Sequence, residues 1–147
     1  MTGKILASNK KAFHDYTILD TLEVGIKLLG PEVKSVKAGS VSLKESFVHI
    51  ENGELYIKNL HISHYKFSPK EGYDPIRNRK LLANKKEIDS LSGKINQQGL
   101  SIVPTKIYLK NGLIKLEIGV AKGKKKWDKR EASKKKDLAR EMKKGII

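Results

Sequence analysis

The chain has no cysteine among its 147 residues, which removes disulfides, thiolate metal ligation and thiol nucleophiles. Nothing staples the fold, so an apolar core must hold it. Acidic residues are scarce, 16 against 31 Lys and Arg, and they are scattered, mostly beside lysines, rather than clustered as a metal-dependent nuclease requires. Solvated faces account for them. Apolar runs are short: none approaches the roughly 18 residues that span a bilayer, and the opening MTGKILASNKK lacks an apolar signal core with a small-residue cleavage site. These features fit a soluble, cytoplasmic protein. No Gly-x-Ser-x-Gly elbow is present. GVAKGKK fails as a phosphate loop, with three residues instead of four between Gly119 and Gly123 and with Lys125 where Ser or Thr belongs. His61 and His64 in HISH fall at a strand end, where positions three apart face opposite sides, a poor arrangement for a metal. An enzyme, a resident metal and a cofactor are therefore not expected.

What the chain has in excess is positive charge. The net charge is +15 at pH 7, and the segment from Lys122 to Ile147 carries +8 of it, with twelve Lys or Arg against four Asp or Glu. Such a footprint suits nucleic acid or an anionic membrane surface. The basic segment has too little apolar surface to offset its own ordering entropy, so its order depends on an anionic partner. Residues 1–121 are read as one domain and residues 122–147 as a basic tail, flexible when free.

Within the domain, HDYTILDTLEVGIKLLG alternates apolar and polar residues and reads as a strand pair bent near Gly25. GPEVKSVKAG has Pro31 at a helix start, Glu32 in the first turn and Gly39 as a stop. Asn52-Gly53 and Asn111-Gly112 each separate two alternating apolar runs and favour the positive φ angles of a type I′ hairpin. FSPKEGYDPIRNRK reads as an exposed loop. Asn84 is a candidate N-cap with Glu87 three residues on, followed by Ile88, Leu91 and Ile95 at helical spacing and Gly99 as a stop. The pattern predicts a mainly β protein, a small antiparallel oligonucleotide-binding-like barrel of about six strands with two or three helices.

In the tail, a helical register places Trp127, Leu138 and Met142 on one thin stripe, and Glu131 with Lys135 forms an i,i+4 pair. The tail can thus become a basic helix once neutralised. Trp127 suits either stacking on a nucleotide base or packing back on the barrel.

The ordered blocks NKKAFHDY, LEVGIKLLGPEVKSVKAG, DPIRNRKLL, KKEIDSL, VPTKIYLKNGLIKLEIGVAKGKK and DKRE resemble the small protein B family, the partner of transfer-messenger RNA in bacterial ribosome rescue. The resemblance implies a barrel that holds the tRNA-like part of that RNA in place of a missing anticodon arm. It matches the family's RNA-contacting positions to Asn9, Lys10, Glu23, Leu82 and Asn84, with Arg79 and Lys80 adding phosphate attraction. A carboxylate such as Glu23 can accept hydrogen bonds from base amino or imino groups or 2′-hydroxyls, or orient a neighbouring cation. Leu82 fits core packing equally, and Asn84 fits a helix cap. By the same resemblance His14, in the HxY element, and Gly123, Lys124, Lys125, Trp127, Asp128, Lys129 and Arg130 would lie at the decoding centre of a stalled ribosome. The tail would enter the empty messenger channel against small-subunit ribosomal RNA, and elongation factor Tu would share the delivery complex. Two features depart from the family: Trp127 stands where many members have His or Tyr, and the tail ends soon after Met142. A general RNA-binding or ribosomal protein with the same barrel is the alternative, and an RNA-cleaving enzyme comes third.

Overall fold

The computed structural model describes residues 3–124. Two tight hairpins organise it, because Asn-Gly accepts the left-handed backbone that both central positions of such a turn need. β4 (Phe47–Glu51) and β5 (Glu54–Lys58) join through Asn52 and Gly53 at φ 53° and 75°. β8 (Ser101–Lys110) and β9 (Leu113–Gly123) join through Asn111 and Gly112 at φ 52° and 77°. With β1 (Ile5–Ser8), β2 (Tyr16–Ile26) and β7 (Arg79–Leu82) they form one antiparallel sheet in the order β1-β8-β9-β2-β7-β5-β4. A second, small pair joins β3 (Val41–Ser42) to β6 (His61–Ile62).

Alternation along the strands sends Val24, Leu55, Ile57, Leu81, Ile107, Leu116 and Ile118 to one side, all almost fully buried. Against them pack Val36 from α2 (Gly30–Lys37) and Ile88 and Leu91 from α3 (Lys85–Gln98). α3 is bounded as its sequence predicts. Asn84 Oδ1 accepts from Glu87 N–H at 2.9 Å, Glu87 Oε1 accepts from Asn84 N–H at 3.0 Å, and Gly99 closes the helix at φ 64°. The sheet curls until β4 lies beside β8 but no ladder joins them. The barrel is therefore open along that seam, where a groove of about 730 Å³ runs between Phe47 and Val48 on one side and Ile102 and Pro104 on the other.

Four features differ from expectation. There are nine strands among the described residues rather than about six, two of them only two residues long. YTILDTLEVGI is one continuous strand, not a bent pair. Gly25 stays in the ladder opposite Lys115 and Leu82, and the irregularity falls at Leu19, between the pairs Ile18↔Ala121 and Asp20↔Val120. A six-residue helix, α1 (Lys10–Asp15), precedes it. At the other end β9 continues past residue 121, with Lys122 paired to Thr17 and Gly123 to Tyr16, so the sheet takes in the start of the basic segment.

Candidate nucleic-acid interface

The polar side of the sheet is set by register. Glu23 lies opposite Glu117, Gly25 opposite both Lys115 and Leu82, Lys106 opposite Glu117, and Tyr108 opposite Lys115. Neighbours in register share a face, so these residues form one outer surface spanning β8, β9, β2 and β7. Gly25 has a specific role in it. A Cβ there would meet the Leu82 side chain at 3.2 Å, so glycine lets Leu82 lie flat across β2 with half of its surface exposed. Of the two roles open to Leu82, core packing is thereby excluded. Lys80, two residues earlier on β7, reaches Glu54 at 3.1 Å and stays partly accessible. Asn84, two residues after Leu82, caps α3 through Oδ1 alone, so its side-chain N–H groups are the donors it can offer a ligand.

Glu23 is held rather than free. Tyr108 donates its hydroxyl to Oε2 at 2.5 Å, and Lys110 Nζ lies 3.3 Å from the same oxygen. These contacts, with Tyr108 first, hold the Glu23 carboxyl below the usual carboxylate range despite an opposing contribution from burial, and Lys110 and Lys115 add to the effect. Burial first, and then Glu23, pushes the Tyr108 hydroxyl well above its ordinary value. Beside this pair Thr105 donates to Glu117 Oε2 at 2.6 Å. Lysines 106, 110 and 115 on this face went unnoticed in the sequence as site residues. Their signal was the polar half of the alternation in KIYLKNGLIKLE.

Arg79 does not belong to this surface. It lies on β7, not in a loop, and is completely buried. Its guanidinium donates to Glu32 Oε2 through Nε at 2.8 Å and Nη2 at 2.5 Å, and to the carbonyls of Leu60 and Pro75. A guanidinium sequestered with a buried carboxylate cannot meet phosphate, which corrects its assignment as an RNA contact. Arg77 also donates to Glu32, and Leu29 N–H adds a third source. Burial pushes the Glu32 carboxyl up, but the hydrogen bonds from Arg77, Leu29 and Arg79 outweigh it and leave it below its ordinary value. Together with Tyr73, whose hydroxyl donates to Ile62 O at 2.6 Å, they tie down the loop of residues 63–78, of which 67–78 belong to the stretch expected to be an exposed loop. In that loop His64 Nε2 lies 2.7 Å from Ser68 O, while His61 is on β6.

Asn9 is buried and occupied on both sides. Its Oδ1 accepts from Ala12 N–H to cap α1, and its Nδ2 donates to Pro104 O at 2.8 Å. Its position is structural, while Lys10 beside it is exposed. α1 carries His14 in its last turn, with Nδ1 3.0 Å from Asp15 Oδ1. The helix also meets the end of the described chain: Lys124 donates its N–H to Asp15 O at 2.9 Å and its Nζ to Phe13 O at 3.2 Å. His14, Gly123 and Lys124 are thus brought together. Lys125, Trp127, Asp128, Lys129 and Arg130 lie outside the described residues.

The family model described as SmpB protein matches residues 6–146. The chain belongs to the SmpB family. Family members described as SsrA-binding protein include one from Persephonella marina, 54% identical over 141 residues, covering 96% of this chain and 93% of its own. Another, from a Sulfurihydrogenibium species, is 55% identical over 146 residues, covering 99% and 96%. Among solved structures, a chain described as "tmRNA-SmpB: a journey to the center of the bacterial ribosome" superposes with a TM-score of 0.67 at 46% identity, over 86% of this chain and 92% of that one. The mainly antiparallel architecture described above is thus the architecture of this family.

Proposed function

We propose that this protein binds transfer-messenger RNA and brings it to stalled ribosomes, acting as an RNA-binding adaptor with no catalytic step of its own. The observation that carries the reading is the assembly of Glu23, Lys80, Leu82 and Asn84, drawn from β2, β7 and the start of α3, on one exposed face in a chain of this family. Lysines 106, 110 and 115 supply phosphate attraction there, and Glu23, Leu82 and the Asn84 amide supply groups that net charge alone would not select. The tRNA-like part of the RNA lies against this face, with Lys10 adding a cation from α1. At the opposite end of α1, His14 and the chain leaving Lys124 address the decoding centre, and the basic residues from Lys125 onward occupy the vacant messenger channel. Delivery involves elongation factor Tu and takes place in the cytoplasm.

The test is a pull-down of the full chain from bacterial lysate with sequencing of the retained RNA. A single dominant structured RNA is expected. Retention of bulk ribosomal RNA without it would replace this reading with that of a general ribosomal RNA-binding barrel.

A further inference from the structure

One residue of the polar face has no RNA-facing surface of its own. Tyr108 points to the same side as Lys115, yet is only 2% exposed. Lys106 Nζ sits 5.8 Å from its ring centroid, and its hydroxyl reaches over β9 to Glu23 on β2. A buried ring with a directional O–H bond defines where a carboxylate can sit. The ammonium of Lys110, 3.3 Å and 3.4 Å from the two Glu23 oxygens, is a mobile charge that does not. Tyr108 engages Oε2 at 2.5 Å, so Oε1 is the oxygen left best placed to accept from outside.

An exposed glutamate ordinarily samples several rotamers, and a ligand must suppress that freedom on binding. Held in advance, Glu23 imposes no such cost. Its charge also repels phosphate, so what it accepts is a donor on a base edge or a ribose. The geometry points to Tyr108 as a positioning residue for RNA recognition: it locks Glu23 in one orientation, so that the carboxylate selects a base amino or imino group or a ribose hydroxyl and the lysine-rich face discriminates among RNAs. This rests on Glu23 facing RNA as in the preceding section.

The charged and titratable groups around Glu23 are Lys106, Tyr108 and Lys110 on β8 and Lys115 and Glu117 on β9; on the other side β7 puts Leu82 beside Gly25. The Tyr108 hydrogen bond is the largest influence favouring ionised Glu23, so without it the carboxyl rises toward its ordinary value. RNA binding by a Tyr108→Phe chain should then fade at a higher pH than binding by the native chain as acidity increases.

The experiment compares the full chain and its variants in filter binding, using the tRNA-like RNA and an unrelated structured RNA of equal length. Tyr108→Phe should weaken the first about tenfold and the second less than about twofold, the size expected for a charge-assisted hydrogen bond that orders its acceptor. Its salt slope should be unchanged and its acid loss shifted upward in pH. Combined with Glu23→Gln, it should add nothing. Glu23→Asp, which keeps the charge but withdraws it from the hydroxyl, should match Tyr108→Phe and serves where that variant folds poorly. Native affinity in Glu23→Gln would sink the interface reading itself. Weak binding by Glu23→Gln with native binding by both Tyr108→Phe and Glu23→Asp would overturn the positioning role alone. An equal loss for both RNAs would also overturn it, marking Tyr108 as a support of the fold.

Discussion

Replacing Arg79 with Met removes the central donor of the buried cluster while leaving an apolar stem of similar length. Five hydrogen bonds disappear: two to Glu32, and one each to the carbonyls of Leu60, Arg77 and Pro75. The Glu32 side chain, with no exposed surface, keeps only Arg77 and the Leu29 N–H. Breaking a buried pair from one side costs about 3–5 kcal/mol, and the remaining bidentate Arg77 favours the lower end of that range. For a folded region of this size that lowers the melting midpoint by roughly 10–15 °C, read by circular dichroism at neutral pH. Glu32→Leu combined with Arg79→Met removes the two fully buried charges and should recover part of the loss, because the part-exposed Arg77 can turn to water while the Leu29 N–H loses its acceptor. Acidification separates the two further. Because the folded Glu32 carboxyl sits below its ordinary value, its contribution is present above the usual carboxylate range and is lost as pH falls through the depressed value. The native chain should therefore lose a stabilisation on acidification that the double variant never had. Below its melting point, Arg79→Met should bind RNA with the native salt slope, whereas Lys80→Ala should lower that slope by about one phosphate contact. An unchanged melting midpoint together with a reduced slope for Arg79→Met would refute the buried assignment.

Three further outcomes are expected. Asn84→Asp retains an equally good N-cap but exchanges amide donors for a negative charge, so melting should move by less than about 0.5 kcal/mol while affinity for the tRNA-like RNA falls; Asn84→Ala should cost about 1 kcal/mol in stability as well. Ala at both Asn111 and Gly112, where φ is 52° and 77°, should destabilise by roughly 1–2 kcal/mol in thermal melts, because Ala resists the left-handed region. A chain stopped after Lys124 keeps every ladder described here; it should melt like the full protein and retain most RNA affinity, but fail to support peptide tagging on messenger-free ribosomes, and full tagging would refute the tail's role.

Features that depend on neighbours in sequence were legible. Both Asn-Gly turns and the Asn84–Gly99 helix are written in residues that dictate their own backbone, and the structure has them in place. α1 was hidden because it is short and has no acid in its first turn, so its only start signal is Asn9, whose capping bond needs Pro104 and Thr105 to hold it in place. Gly25 suggested a bend when its missing side chain instead makes room for Leu82, a partner 57 positions away that no local pattern names. Arg79 looked like one more surface cation for the same reason. Its partner, Glu32, is 47 residues distant, and the depth of a charge is a property of packing. The candidate site followed this division: Glu23, Leu82 and Asn84 were named through family likeness, whereas Tyr108, 85 residues from Glu23, became visible only through register.

The chain's exit beside α1 can be considered as a mechanical joint. β9 lies between β8 and β2, bonded along both sides, and Lys124 is clasped by the carbonyls of Phe13 and Asp15 as it leaves. A pull applied beyond that point cannot peel away an edge strand; it must shear an eleven-residue strand from between two neighbours. The helix that bears His14 meets the same point through the carbonyls of Phe13 and Asp15, so force arriving at Lys124 is borne by α1 and the whole sheet together.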